Sequence, residues 1–243
     1  TGLPGLSRSC GVVTGPAGRI IKGLGEIEGA GDALDYFRRT SRRSSEIGDL
    51  LEAYPESEPG LLRVLSAYAS LGSSLYLGNS MPIREWNLFA QTEKPLTDVR
   101  ANRGANGIDG QISTWLGWTA ETEDPWCIVG DLTALYDLAA PSWLAQIERK
   151  GRVLVVINNG GGHIFSRLPR LEAMSDRAKE FMLNPHEVRL ENWAAMWGMR
   201  YLRITREDDF DRLEAAGETL LVELIPDAAE TELFWKAWDR VKS

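Results

Sequence analysis

Asp131 and Asn159 stand 28 residues apart, each at the end of a short apolar run. The first run is Trp126-Cys127-Ile128-Val129, followed by Gly130 and Asp131; the second is "VLVVI" (153–157), followed by Asn158, Asn159 and the glycines at 160–162. A carboxylate, an amide oxygen and a freed glycine carbonyl are hard oxygen donors. Three such groups do not complete an octahedron, which suits Mg²⁺ that also takes phosphate oxygens and water. Leu132 and Thr133 add N–H groups and a hydroxyl at the start of a helix, the other half of a diphosphate cradle. Glycines at 160–162 let the backbone approach phosphates with no Cβ in the way. Taken singly, Asp131 is more often an N-cap, and 158–162 a turn, than ligands. Their positions in successive βα units, about one crossover apart, favour the ligand reading: a metal-held diphosphate against two strand ends.

Two further strand ends carry chemistry, "GNSMPIR" (78–84) and "NRGANGIDG" (102–110), so that Gly, Asn, Asp, Ser and two Arg collect at loop positions. Other phosphate signatures fail: there is no G-x-x-x-x-G-K-[ST] and no G-x-G-x-x-G after a strand. "GNSMP" breaks the last glycine of a nucleophile elbow, and nothing places His163 beside Ser80 as its base. With only His163 and His186 in the chain, zinc is disfavoured.

The elements that must position these groups follow from apolar spacing. Helical patterns cover 60–72, 82–91 (opened by Pro82), 107–120, 133–150, about 171–182, 191–198 and 207–217, with an amphipathic helix from about 229. Pro141 is expected to kink or divide the 133–150 helix. Strands fall between them at 74–80, 97–102, 125–131, from 153, 199–204 and 219–225, short and apolar on both faces. The pattern predicts an α/β fold, a doubly wound, mostly parallel six-stranded sheet with helices on both faces, which binds ligands outside the carboxyl ends of its strands. Residues 1–47, rich in Gly, Arg and Ser, are weakly patterned and read as an extension; 48–243 carry the regular text.

Composition bounds the function. The 243 residues are 43% apolar and 26% charged, those of an ordinary globular chain with a large core. A net charge of −8 disfavours nucleic acid as a partner. No apolar run approaches the ~20 residues needed to span a bilayer, so no membrane insertion is expected. Cys10 and Cys127 lack metal-type spacing, and Cys127, inside an apolar run, reads as a buried thiol in a reducing, cytoplasmic compartment.

The pair "GDLTALYDL" and "VVINNGGGHIF" matches the GD-to-NN signature of thiamine-diphosphate enzymes. "GNSMPIR", "NRGANGIDG", "GDLTALYDL" and "NNGGGHIFSRLP", in this order, closely resemble the cofactor-diphosphate domain of the 2-succinyl-5-enolpyruvyl-6-hydroxy-3-cyclohexene-1-carboxylate synthases. The match spans roughly residues 60–170, and 1–47 match loosely the end of that family's middle domain. The resemblance implies a thiamine-diphosphate-binding fold and a transferase of menaquinone or phylloquinone biosynthesis. It implies decarboxylation of 2-oxoglutarate and addition of the resulting succinyl carbanion equivalent to isochorismate.

Carried over by motif, the Mg²⁺ ligands are Asp131, Asn159 and the Gly161 carbonyl; Asn158 with Gly160 is the neighbouring register. The cofactor would meet Ser80, Ile108, Leu132, Thr133, Gly161 and Gly162, with Ile108 as the apolar wedge that bends it. Ser80, Arg84 and Arg103 match positions facing the acidic substrates, where guanidinium pairs with carboxylate, and Ile164, Phe165 and Leu168 would wall the pocket. Surface ion pairing and plain packing account equally for these side chains outside the motif. The family's aminopyrimidine glutamate lies on an N-terminal domain docked across a subunit interface. It is expected upstream of Thr1, so no catalytic residue is assigned within these residues, the chain alone is expected to be inactive, and the full-length protein is expected to form homo-oligomers with shared sites. The rival readings are another thiamine-diphosphate carboligase or decarboxylase, and a non-catalytic domain for cofactor binding or assembly, to which nine Trp are suited.

Overall fold

The computed structural model describes residues 45–242 except 73, 92–95, 97, 105–106, 148–150 and 215–216. Apart from its last three residues, which are helical, the expected extension over 1–47 lies outside the described residues, as does Cys10. Residues 54–233 form one compact unit; the helical residues 45–53 and the chain from Phe234 onward belong to a second. In the second unit Leu50, Leu51 and Phe234 are buried, and the Phe234 ring stacks edge-on against Trp235.

The larger unit is built on six parallel strands: β1 Ser74–Leu77, β2 Val99–Arg100, β3 Pro125–Gly130, β4 Val153–Ile157, β5 Arg200–Ile204 and β6 Leu220–Leu224. They lie in the order β2-β1-β3-β4-β6-β5. The helices are α1 Glu58–Ala69, α2 Met81–Phe89, α3 Gln111–Trp118, α4 Asp131–Tyr136, α5 Pro169–Glu172, α6 Asp176–Leu183, α7 Glu191–Met196 and α8 Ala228–Lys242. Alternate strand residues serve two cores, as a two-residue period requires. Leu75, Leu77, Ile128, Val153, Val155 and Val222 pack with Leu61, Leu62 and Leu65 of α1 on one face. Tyr76, Cys127, Val129, Leu154 and Val156 pack with Ile112 and Trp115 of α3 and Trp193 of α7 on the other. Burial on both faces explains why the central strands read as continuous apolar runs. This is the doubly wound α/β fold that the pattern predicts. Among the described residues no helix is long and apolar enough to cross a membrane.

Strand order decides where a ligand can enter. From β1 the chain moves outward to β2, then returns past β1 to β3 and continues the other way. The loops after β1 and β3 therefore diverge, leaving a crevice at their carboxyl ends. The loop after β1 begins at Gly78 and α4 starts directly after Gly130.

Three expected helices are realised differently, the one over about 171–182 as the separate α5 and α6. The 133–150 segment is divided: α4 ends at Tyr136, and a 3-10 turn runs Ala140–Ala145 with Pro141 in its first turn. A helix continued through 141 would need an N–H that proline lacks and would press its ring on the Asp137 carbonyl. Among the described residues of 207–217 only a 3-10 turn, Glu207–Arg212, forms. Asp209 there accepts from the N–H and hydroxyl of Thr205, and Phe210 is its buried anchor. The short acidic side chains bond locally rather than support a longer helix.

Candidate functional site

A cleft of about 820 Å³ opens at the carboxyl ends of β1, β3 and β4. Its walls come from the segments the sequence singles out, 79–84, 103–109, 130–136 and 157–165, and from Glu58 at the start of α1. Asp131 lies in its floor, 3% exposed. Its Oδ2 accepts the N–H groups of Gly160 (2.8 Å) and Gly161 (2.9 Å), and its Oδ1 accepts that of Leu132 (2.6 Å). His186 Nε2 stands 3.2 Å from the same Oδ2. The His186 Nδ1 accepts the Val188 N–H (3.3 Å). Burial pushes the Asp131 carboxyl above its ordinary value, while the Leu132 N–H, His186 and the two glycine N–H groups pull it back. A cation beside such a carboxyl would favour its ionised form.

The two asparagines point to different places. Asn158 donates to the Val188 carbonyl and to the buried Glu223. Asn159 lines the cleft, and its Oδ1 meets the Gly161 N–H only at 3.3 Å, so a lone pair is available. The Gly161 carbonyl accepts the His163 N–H (3.0 Å) and retains a second lone pair. Asp131, Asn159 and Gly161 are thus brought together. Among the described residues no cluster of three His, Cys, Asp or Glu side chains is set to hold a metal. The donors gathered here are a different set, one carboxylate with amide and carbonyl oxygens, whose hard character fits Mg²⁺ that also takes phosphate and water.

The glycines have a role that the sequence did not reveal. Gly160 and Gly161 have φ of +86° and +149°, and a Cβ on Gly161 would stand 2.6 Å from the Leu183 carbonyl oxygen. Backbone of 182–186 packs over this loop, with the Gly162 N–H on the Leu183 carbonyl and the His186 N–H on that of Gly160. What comes close to these glycines in the fold is the chain itself. Among the glycines that line the cleft, the one with open space at its Cβ is Gly130, where no protein atom lies within 4 Å.

On the β1 side, Ser80, Arg84, Arg103 and Ile108 all line the cleft. Ser80 adopts φ 76°, a left-handed value for a non-glycine residue and a local strain at the cleft wall. Arg84 donates to the Ser80 carbonyl (2.6 Å) and Arg103 to Asn79 Oδ1 (3.0 Å), and both residues are exposed. Asn79 ties the two loops: its N–H goes to Gln111 and its Nδ2 to the Gly107 carbonyl. Leu132, Thr133, Gly162, Ile164 and Phe165 also line the cleft, as do Ser80 and His163 together. Leu168 is not among the lining residues and is 48% exposed. With six residues, α4 offers local donors rather than a long helix dipole.

Sequence reasoning missed Glu58, Glu85, Asn79 and His186. Glu58 and Glu85 are buried beside one another, and neither Glu58 Oε1 nor either carboxyl oxygen of Glu85 has a hydrogen-bond partner. Burial pushes Glu58 up to about 7, although Asn159 and Glu85 lower it. Burial, then the neighbouring Glu58, holds Glu85 well above the usual carboxylate range. Two buried acids side by side do not readily ionise together, so both are held toward their protonated forms. Glu58 and Glu85 lie 27 residues apart in different helices, so no local motif announces them.

No family model matches the chain. The chain is 47% identical to the 2-succinyl-5-enolpyruvyl-6-hydroxy-3-cyclohexene-1-carboxylate synthase of Akkermansia muciniphila over 96% of its own length and 44% of that protein's. To the enzyme of the same name from Bdellovibrio bacteriovorus it is 45% identical, over 81% of the chain and 36% of the relative. The chain belongs to this synthase family. A third member, from Chlorobaculum tepidum, is 34% identical over 82% of the chain. The chain spans less than half the length of the curated relatives it matches.

Proposed function

We propose that this chain is the cofactor-diphosphate part of a thiamine-diphosphate-dependent synthase acting in menaquinone biosynthesis, with 2-oxoglutarate and isochorismate as substrates. Family membership supports the reaction. The observation that carries the site is the convergence of Asp131 with Asn159 and Gly161, which lie a βα crossover further along the chain, in one cleft. Bound thiamine diphosphate with Mg²⁺ supplies the decarboxylation of 2-oxoglutarate and the transfer of the succinyl unit to isochorismate. The protein's part is to bind and orient. Asp131 gives the metal its charged ligand, Asn159 Oδ1 and the Gly161 carbonyl give neutral ones, and Thr133 offers a hydroxyl toward the diphosphate. Ile108 stands in the wall where an apolar wedge would bend the cofactor. Arg84 and Arg103, each with guanidinium donors beyond those it spends on the protein, meet substrate carboxylates at the cleft mouth. Ile164 and Phe165 keep the adjoining wall apolar and exclude water.

The decisive experiment is Asp131→Ala in the full-length protein, with thiamine diphosphate titrated calorimetrically at rising Mg²⁺. Loss of Mg²⁺-dependent binding is expected, because the only charged ligand is gone. Undiminished Mg²⁺ dependence refutes the metal assignment.

A further inference from the structure

An asparagine amide has the same outline in its two flipped orientations, but one presents oxygen where the other presents NH₂. Asn159 can serve a metal in only one of them. Its Nδ2 donates to Glu58 Oε2 at 2.8 Å, across 101 residues of sequence. Glu58 Oε2 is the acceptor in this contact, so Nδ2 is turned toward α1 and Oδ1 the other way. Oδ1 then faces the Gly161 N–H, which is also bonded to Asp131 Oδ2.

Glu58 is well suited to impose this choice. It is the first residue of α1, its N–H is held by Thr231 Oγ1 (3.0 Å), and Ser57 caps the helix through the Gly60 N–H (3.1 Å). The following turns anchor in the core through Leu61, Leu62 and Leu65. The side chain is 2% exposed and its other oxygen is turned from solvent, beside Glu85, so the carboxylate has no alternative place to go. Packing alone does not account for an acid here, since an apolar side chain of similar size would avoid the cost of burying it. Partners that orient metal ligands from behind commonly govern metal affinity.

We propose that Glu58 is a positioning residue for the metal: by accepting the Asn159 amide it turns the Asn159 oxygen toward Asp131. The inference rests on the metal reading of Asp131, Asn159 and Gly161, and Asp131→Ala tests that reading separately. The experiment measures, in the full-length protein, the Mg²⁺ concentration for half-maximal thiamine-diphosphate binding, with thermal melts in chelator to report the fold. Glu58→Gln carries both a donor and an acceptor and no longer dictates the amide's orientation. It should raise the Mg²⁺ requirement by about 10- to 100-fold. Glu58→Asp keeps a carboxylate acceptor on α1 and should raise the requirement less than E58Q, whereas Glu58→Met, apolar and of similar size, should raise it as E58Q does. A merely structural role moves the melt in chelator without moving the Mg²⁺ requirement. If Asp131→Ala abolishes Mg²⁺ dependence while E58Q binds Mg²⁺ like wild type, the positioning role is overturned and the metal reading stands. If E58Q does not fold, Glu58→Met decides: a raised Mg²⁺ requirement supports the role, and a wild-type requirement overturns it.

Discussion

Glu58 and Glu85 meet out of water beside the cleft, and this contact makes stability depend on pH in a definite direction. A native acid that keeps its proton up to about 7, against an ordinary 4.5, binds more protons than the unfolded chain within that window. Its stabilising contribution is complete below 4.5 and is lost as pH rises through about 7. Glu85, held well above the ordinary range, adds to the same slope. Glu85→Gln keeps the shape and presents an amide donor to Glu58. In metal-free buffer its stability relative to wild type should grow as pH rises above neutral, with little gain near pH ~4. Urea unfolding across pH measures this, and a pH-independent difference between the two proteins contradicts it. The arginines belong to the same scale. Arg84→Ala and Arg103→Ala should leave cofactor binding intact and weaken use of 2-oxoglutarate or isochorismate by roughly 10- to 100-fold, the loss of one charge-assisted hydrogen bond. Arg84 is the cleaner test, because Arg103 also steadies Asn79. Normal substrate kinetics in both would make them structural.

The element that connects core to cleft is α1. Its third residue, Gly60, looks like a place where alanine would help, since Gly in a helix costs about 1 kcal/mol relative to Ala. The fold reverses that expectation. A Cβ there would stand 2.5 Å from the Tyr54 carbonyl oxygen and 2.6 Å from that of Pro55, both backbone atoms that cannot swing aside. Gly60→Ala should therefore destabilise by roughly 1–3 kcal/mol, as overpacking does. The helix start would be displaced with it, moving Glu58. A melting temperature equal to or above wild type refutes the close packing. The divided 133–150 segment and the 3-10 turn at Glu207–Arg212 carry the same lesson: Pro141 was readable as a break, but the choice of a 3-10 turn was not. Helix type in short polar segments depends on which local side-chain bonds win, such as Asp209 to Thr205, and periodicity does not record them.

At the scale of the molecule, residues 54–233 close two apolar cores around the sheet, so the 243-residue chain by itself should melt cooperatively. It should release no CO₂ from 2-oxoglutarate when supplied with thiamine diphosphate, Mg²⁺ and isochorismate, because the aminopyrimidine glutamate is proposed to lie on another domain. Turnover above the cofactor-only background would place that acid within these residues. The six strands, their parallel pairing and the position of Asp131 and Asn159 just past strand ends were legible from the sequence, because runs of apolar residues and the polar breaks after them are local signals. The tertiary structure alone decided the rest. Strand order put the crevice between β1 and β3; Asn158 turned to Glu223 and Asn159 to Glu58; the backbone of 182–186 came down on the glycine loop. Each joins residues far apart in sequence, and such contacts are chosen by which faces pack and which buried polar atoms find partners, a competition settled only when the whole sheet closes.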